Sequence, residues 1–170
     1  MIGSVYLAHF RLFSSQSASI DTSAQNKIAI EEISNQIRES VGVAGTCNTT
    51  NAPPGTSSTN DVLVLNLWPL VLGVPTNPVA GNSDCAVYTR NASNNFVKSV
   101  YLSNTLTSTR KAFTNKIIAS NVQTVVFNYG DEVTKPNSAW VNVTLTTQPK
   151  NSKEKPFTQT VKVYLRNKPN

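Results

Sequence analysis

The first forty residues contain no proline and change character along their length, and this feature constrains the fold more than any other. Residues 1–13 carry apolar side chains on every side, residues 14–19 are small or polar, and residues 20–41 are amphipathic. The pattern predicts one helix from about Ser4 to Val41, roughly 55 Å long. A helix that is apolar all round is buried in lipid or in other protein. Since the following domain is too remote to cover the leading segment, we expect other molecules to cover it.

The second half of this helix carries two rows of apolar residues. One row falls at i, i+3, i+7 and i+11, which predicts packing on a sheet. Its members are Ile30, Ile33, Ile37 and Val41. The other row, formed by Ile20, Ala24 and Ile28, lies roughly a third of a turn away. Two interpretations are open: both rows form one broad surface against the domain, or the second row serves a partner.

Local signals also bear on the continuity and the end of the helix. Thr22 and Gln25 fit the capping-box pattern, so a break or kink near residues 19–22 is an alternative to a continuous helix. Gly42 and Gly45 interrupt the helical pattern, and we expect the helix to end before them.

The chain therefore divides into an N-terminal helix, residues 1–41, and a globular β domain, residues 42–170. Short apolar–polar alternating segments separated by polar turns predict the strands of this domain. They are Asp61–Leu67, Cys85–Arg90, Phe96–Leu102, Lys116–Ala119, Val122–Tyr129, Ala139–Thr146 and Thr160–Leu165. Such strands favour a mostly antiparallel sheet with one face covered. The predicted fold class is α+β, with the long helix packed on a mostly antiparallel β-sheet domain.

Three finer expectations follow from the same segments. In Asp61–Leu67, Val62 and Val64 are expected to point inward, with Leu65 as a further candidate. Residues 69–83 contain three prolines and two glycines, which predicts an irregular segment. Residues 85–90 and 96–102 are expected to form a hairpin across Asn91–Asn95.

Cys47 and Cys85 flank a turn-rich stretch. In the cytosol two such distant cysteines stay free more often, whereas in an exported protein they pair. Only 14% of the residues are charged, and Asn, Ser and Thr are abundant, as is typical of surface-exposed β proteins. We therefore expect export and a Cys47–Cys85 disulfide worth about 3–4 kcal/mol.

The net charge of +6 is unevenly distributed. Residues 1–85 hold three basic and six acidic residues, a net of −3, whereas residues 86–170 hold twelve basic and three acidic residues, a net of +9. A basic β domain attracts polyanions such as DNA or acidic glycans. Alternatively, dispersed lysines keep an exposed sheet soluble and protect its edges. The candidates for polyanion contact are Lys98, Arg110, Lys111 and Lys116.

The residues needed for catalysis are scarce. His9 is the only histidine and falls in the apolar segment, and neither cysteine has a histidine partner in a recognisable motif. Asp131 and Glu132 suit a solvated turn better than a calcium site. The sequence contains no phosphate-binding glycine loop and too few Cys and His residues for zinc. We therefore predict no enzymatic activity, no metal site and no cofactor.

An apolar leading helix continues here as the amphipathic segment SQSASIDTSAQNKIAIEEISNQIRES, followed by a cysteine-bearing loop and a strand that begins Asp61-Val62-Leu63-Val64-Leu65. This combination resembles the type IV pilin-like superfamily, in particular minor pilins and the minor pseudopilins of type II secretion. The resemblance implies a pilin-like fold. It also implies that SVYLAHFRLFSSQSASIDTSAQN corresponds to the second half of the family's transmembrane helix and its continuation.

The resemblance further implies a structural subunit of a pilus or pseudopilus filament, with its β domain exposed. Its partners would be other pilin or pseudopilin subunits and, before assembly, the inner membrane. Its location would be the cell envelope or an extracellular filament. The expected assembly interface consists of Val5, Leu7, Phe10, Leu12, Phe13 and Ile20.

One departure from the family is the absence of its basic leader, which ends in glycine and precedes Phe-Thr-Leu-x-Glu. The apolar segment is also shorter than the ~20 residues that span a bilayer. We expect it to be the C-terminal remnant of a longer hydrophobic segment, with Met1 a trimmed or misplaced start. Two other hypotheses are a tip pilin that binds DNA or glycans through its basic β domain, and an enzyme or solute-binding domain on a membrane stalk.

Overall fold

The computed structural model of the chain describes residues 2–49, 51–76, 83–103, 108–149 and 155–166. For residues 2–5, Ala8, Arg11 and Ser15 it describes the backbone alone. A single helix, α1, spans Ile2–Glu39, 38 residues or about 57 Å in length. The expected long N-terminal helix is therefore confirmed.

Two details of the helix differ from expectation. The helix is continuous through residues 19–22. The Thr22 hydroxyl donates to the Ala18 carbonyl, 2.8 Å away and one turn back, so it does not cap a helix start. The expected alternative of a helix break at residues 19–22 is therefore wrong. The helix also ends at Glu39, where the Ser40 hydroxyl donates to the Ile37 carbonyl. Val41 lies beyond the helix and donates its N–H to the Asn66 carbonyl at 2.8 Å.

The β domain contains two larger antiparallel sheets and one small strand pair. The strands are β1 Gly42–Val43, β2 Val62–Leu67, β3 Leu70–Val71, β4 Val74–Pro75, β5 Asp84–Arg90, β6 Phe96–Tyr101, β7 Phe113–Ala119, β8 Val122–Tyr129, β9 Trp140–Thr147 and β10 Phe157–Tyr164. The five-stranded sheet has the order β1-β2-β5-β6-β7, and the three-stranded sheet has the order β10-β9-β8. A 3₁₀ turn, Lys135–Asn137, precedes β9. The α+β class and the antiparallel pairing are confirmed.

The main core lies between the helix and the inner faces of the two larger sheets. α1 contacts β7 of the five-stranded sheet and β9 and β10 of the three-stranded sheet. The largest fully buried side chains of this core include Tyr88, Phe96, Phe127 and Leu145. Because one helix contacts both sheets, it covers the core between them on that side.

The outer face of the five-stranded sheet is covered by the loop that follows β1. This loop is tied down by the Cys47–Cys85 disulfide, which confirms the predicted pairing and places the two Cα atoms 5.9 Å apart. Both cysteines belong to a second buried cluster with Val64, Val87 and Tyr101. The five-stranded sheet is therefore covered on both faces over β2 and β5, not on one face as expected.

This double coverage explains an error in the expected orientation of β2. Leu63, Leu65 and Leu67 face the main core, whereas Val64 points to the opposite face beneath the disulfide-linked loop, and Val62 is half-buried. The sequence of β2 is apolar on both faces. Period-two alternation therefore cannot indicate which face meets the helix.

The segment after β2 is more regular than its prolines and glycines suggest. β3 and β4 pair antiparallel, with Leu70 opposite Pro75 and Val71 opposite Val74. Leu72 and Gly73 form the turn with φ of 51° and 80°, the left-handed conformation that a two-residue hairpin loop requires. Residues 77–82 of the expected irregular stretch lie outside the described residues. The hairpin across Asn91–Asn95 is confirmed, with Arg90 opposite Phe96.

Removal of the disulfide tests how strongly the outer loop stabilises the sheet. We expect the double variant Cys47→Ala and Cys85→Ala to lose about 4 kcal/mol of unfolding free energy, because the bond spans 38 residues and restricts the unfolded chain. Urea denaturation monitored by tryptophan fluorescence measures the change. The reduced wild-type chain is the matched control and should have the stability of the variant. A reduced chain as stable as the oxidised one would contradict this account.

Candidate functional site

The side of α1 that faces the sheets consists of buried residues that mostly recur three or four positions apart. They are Thr22, Asn26, Ala29, Ile30, Ile33 and Ile37. Three of the residues expected to pack the helix on the sheet, Ile30, Ile33 and Ile37, belong to the main core cluster. The fourth, Val41, is half-buried beyond the helix end, since the backbone has already turned toward β2.

Polar contacts fix the helix along the sheets at two levels. Asn26 is fully buried, and its Nδ2 donates to the Leu145 carbonyl at 3.0 Å and to the Thr147 hydroxyl at 3.1 Å. One to three turns further on, Lys98 of β6 donates to Glu32 at 3.3 Å and to Gln36 at 2.9 Å. Burial lowers the pKa of Lys98 below its usual value, and the pairing with Glu32 partly offsets this effect. Because buried polar groups need specific partners, these contacts oppose sliding of the helix.

The opposite side of α1 carries an exposed apolar stripe, which we call the outer stripe. At about 100° per residue its members lie within an arc of about 80°, roughly half a turn from the buried side. They are Tyr6 (73% exposed), Phe10 (64%), Phe13 (74%), Ile20 (66%), Ala24 and Ile28 (61%). The second apolar row of the sequence thus belongs to a surface that faces away from the sheets. The interpretation in which both rows form one surface against the domain is wrong.

The leading part of the helix is exposed on other sides as well. Leu7 lies about 100° from Tyr6 around the helix, and Leu12 lies on the side that further along faces the sheets. Both side chains are more than half exposed. Among the six expected assembly residues, five are therefore exposed, and the side chain of Val5 lies outside the described part. A single partner on one side would not cover this surface.

The four residues proposed for polyanion contact fall into two groups. Lys98 pairs with Glu32, and the Arg110 Nε donates to the Asp84 carboxylate at 3.2 Å. Lys111 and Lys116 of the same set are exposed. Two of the four positive charges are therefore balanced by carboxylates of the same chain. Contact with DNA or glycans through this set stays a prediction.

The residues considered for catalysis or metal binding are not assembled into a site. His9 is exposed on α1. The Asp131 carboxylate accepts the N–H groups of Val133 and Thr134, and the Glu132 carboxylate accepts the Tyr129 N–H at 2.7 Å, so both organise their own turn. Within the described residues, no three His, Cys, Asp or Glu side chains are grouped as metal ligands.

Two further observations concern the setting of this chain. Within the described ranges, no helix has the combination of length and apolar character needed to cross a membrane. Comparisons with protein-family models, with curated proteins and with solved structures give no match.

Sequence reasoning missed the role of Tyr88, which lies on β5 in the main core. Tyr88 is fully buried, with its ring 5.9 Å from the Phe96 ring and 5.5 Å from the Lys98 Nζ. Its hydroxyl has no hydrogen-bond partner among the described residues. Burial raises the pKa of Tyr88 well above its usual value, and the negative charges of Glu32 and Glu39 raise it further. An unpaired buried hydroxyl is a cost to stability.

We expect Tyr88→Phe to raise the unfolding free energy at neutral pH by about 1 kcal/mol, because it removes this unpaired hydroxyl. Tyr129→Phe is the matched control, since the Tyr129 hydroxyl donates to the Thr59 carbonyl at 2.8 Å. Its removal leaves that carbonyl without the bond and should lower the unfolding free energy by about 1 kcal/mol. Urea denaturation of the three chains measures both changes, and a Tyr88→Phe chain less stable than wild type would contradict the structure.

The same variants test the pH dependence. Burial raises the pKa values of both tyrosines, so the folded chain keeps these protons at a pH where the unfolded chain releases them. Their contribution to stability is therefore complete below about pH 10 and is lost above it, at up to about 1.4 kcal/mol per pH unit for each tyrosine. Between about pH 10.5 and 11.5, we expect the unfolding free energy of Tyr88→Phe to fall less steeply than that of wild type. The difference should be about 1.4 kcal/mol per pH unit, the contribution of one tyrosine. Equal slopes would show that Tyr88 ionises normally.

Proposed function

We propose that this chain is a structural subunit of a type IV pilus or pseudopilus filament, which assembles through its N-terminal helix and exposes its β domain. The observation that carries the proposal is the outer stripe together with the exposed leading segment of α1. Large apolar side chains there face away from the domain, while the buried side of the same helix is fixed to both sheets. The pilin-like resemblance of the sequence agrees with this arrangement.

The physical argument concerns where these side chains find cover. Complete burial of a large apolar side chain is worth about 1.5–3 kcal/mol, so an exposed set that includes Tyr6, Phe10 and Phe13 favours association strongly. Leu7 and Leu12 are exposed on other sides of the same segment. Cover on several sides needs several neighbouring helices or lipid, and a helical filament core supplies the former. Before assembly, the inner membrane would supply the latter.

The packing of the second half of the helix supports the same proposal. Ile33 and Ile37 are fully buried against the sheets, and Asn26 fixes the axial position of the helix. The leading segment therefore continues a helix whose second half is anchored on the sheets. Subunits joined through such segments would hold their β domains at a defined distance and orientation from the filament axis.

The double variant Leu7→Gln and Phe10→Gln tests the proposal. We expect it to abolish recovery of the chain in filaments sheared from the producing cells, because both side chains lose their apolar contacts with neighbouring subunits. The β domain should remain folded, as measured by an intact Cys47–Cys85 disulfide and an unchanged urea midpoint.

The matched control is the double variant His9→Gln and Ser14→Gln, which introduces the same side chains at exposed polar positions of the same segment. Its recovery in filaments should equal that of wild type. Unchanged recovery of the Leu7 and Phe10 variant would refute the proposal. Equal losses in both double variants would show that the outcome depends on the helix in general and not on its apolar contacts.

A further inference from the structure

A groove of about 680 Å³ lies at the C-terminal end of α1, within the size range of small-molecule sites. Its walls come from five parts of the chain: the last turns of α1, the end of β2, the β3–β4 hairpin, Arg110 before β7 and Arg166 after β10. Tyr6 and this end of the helix are separated by about 48 Å along α1. The groove is therefore distant from the surface proposed for assembly.

Three arginines line this groove, Arg38, Arg110 and Arg166. The Arg38 Nη1 also donates to the Asn35 amide oxygen at 3.2 Å, so a neutral group and not a carboxylate is its partner there. The three arginines come from the end of α1, the segment before β7 and the segment after β10, so only the fold brings them together. Glu39 is the one carboxylate among the described lining residues. Arginine is well suited to bind carboxylates because its planar group donates two parallel hydrogen bonds.

The Arg110 side chain is held in place by hydrogen bonds within the chain. Its Nε donates to Asp84 at 3.2 Å, and its Nη2 donates to the Trp68 carbonyl at 2.9 Å. Asp84 is fully buried, and it also accepts the Ser108 hydroxyl at 2.7 Å and the Ser103 N–H at 2.8 Å. A guanidinium fixed in this way loses little conformational entropy when a ligand binds. The Arg38 and Arg166 side chains supply positive charge that is not consumed by Asp84.

The remaining wall suits a ring that has an apolar C–H face and hydroxyl groups at its edge. Trp68, Leu70 and Pro75 form an apolar side of the groove, and Trp68 is half-buried there. The C–H bonds on one face of a pyranose ring carry slight positive charge and pack on the negative face of an aromatic ring. On the other side, Glu39 offers carboxylate oxygens as acceptors for hydroxyl groups, and Gln36, whose amide oxygen accepts from Lys98, offers its Nε2 as a donor.

We propose that this groove binds an acidic sugar, a pyranose that carries a carboxylate, as one or two residues of a glycan. The arginines hold the carboxylate, the apolar wall holds the ring, and Gln36 and Glu39 hold the hydroxyls. Glu39 disfavours a phosphodiester backbone, because such a ligand brings charge and few hydroxyl donors next to a carboxylate. This binding activity goes beyond filament assembly and uses different residues.

Calorimetry with the full chain in non-ionic detergent and digalacturonate as the probe tests the proposal. We expect digalacturonate to bind at least tenfold more tightly than the neutral digalactose, because only the former has a carboxylate for the arginines. The double variant Arg38→Gln and Arg166→Gln should weaken digalacturonate binding at least tenfold. The matched control, Lys27→Gln and Lys155→Gln, removes the same charge from exposed positions outside the groove and should stay within twofold of wild type.

Four outcomes would overturn the proposal. They are no binding of digalacturonate, equal binding of the acidic and neutral sugars, an equal loss in the control variant, and competition by inorganic phosphate or a short DNA duplex as strong as that by the sugar. The first two would exclude carboxylate recognition. The third would indicate a general charge effect, and the fourth a site for anions of any kind. None of them bears on filament recovery of the Leu7 and Phe10 variant, so the two proposals fail independently.

Discussion

The packing of the second half of α1 against both sheets is the contact on which the rest of this structure depends. Ile33 and Ile37 are fully buried there, and the Asn26 amide pairs with groups on β9. Because one rigid helix covers parts of two separate sheets, it joins them into one core. The same contact fixes the rotation of the helix about its axis and thereby places the outer stripe on the far side from the domain.

The two halves of α1 lie in different environments. In its second half an apolar side meets the sheets, whereas in its first half large apolar side chains lie open on several sides. Large exposed apolar patches mark surfaces that interact with other proteins or with lipid. In the proposed filament, the buried side of the helix would anchor it on the domain, and the exposed segment would contact neighbouring subunits.

The net charges of the two halves of the sequence do not show how the charged side chains are paired in the fold. The second half of the sequence has a net charge of +9, yet Lys98 and Arg110 lie against carboxylates contributed by the first half, Glu32 and Asp84. Such pairs secure the helix to β6 and order the segment before β7. Arg38 and Arg166, which no local motif singled out, instead meet Arg110 at a groove. A charge imbalance in the sequence therefore does not locate a binding surface.

Local patterns in the sequence were enough to predict the helix, the hairpin across Asn91–Asn95 and most strands, because helical and strand periodicities are properties of neighbouring residues. The cysteine pair was also predictable from composition. The tertiary structure alone decided that Leu63 and Leu65, not Val64, face the helix, since β2 is apolar on both faces. It likewise decided that residues 38, 110 and 166 line one groove, because strand pairing and sheet packing bring together positions whose separation carries no local signal.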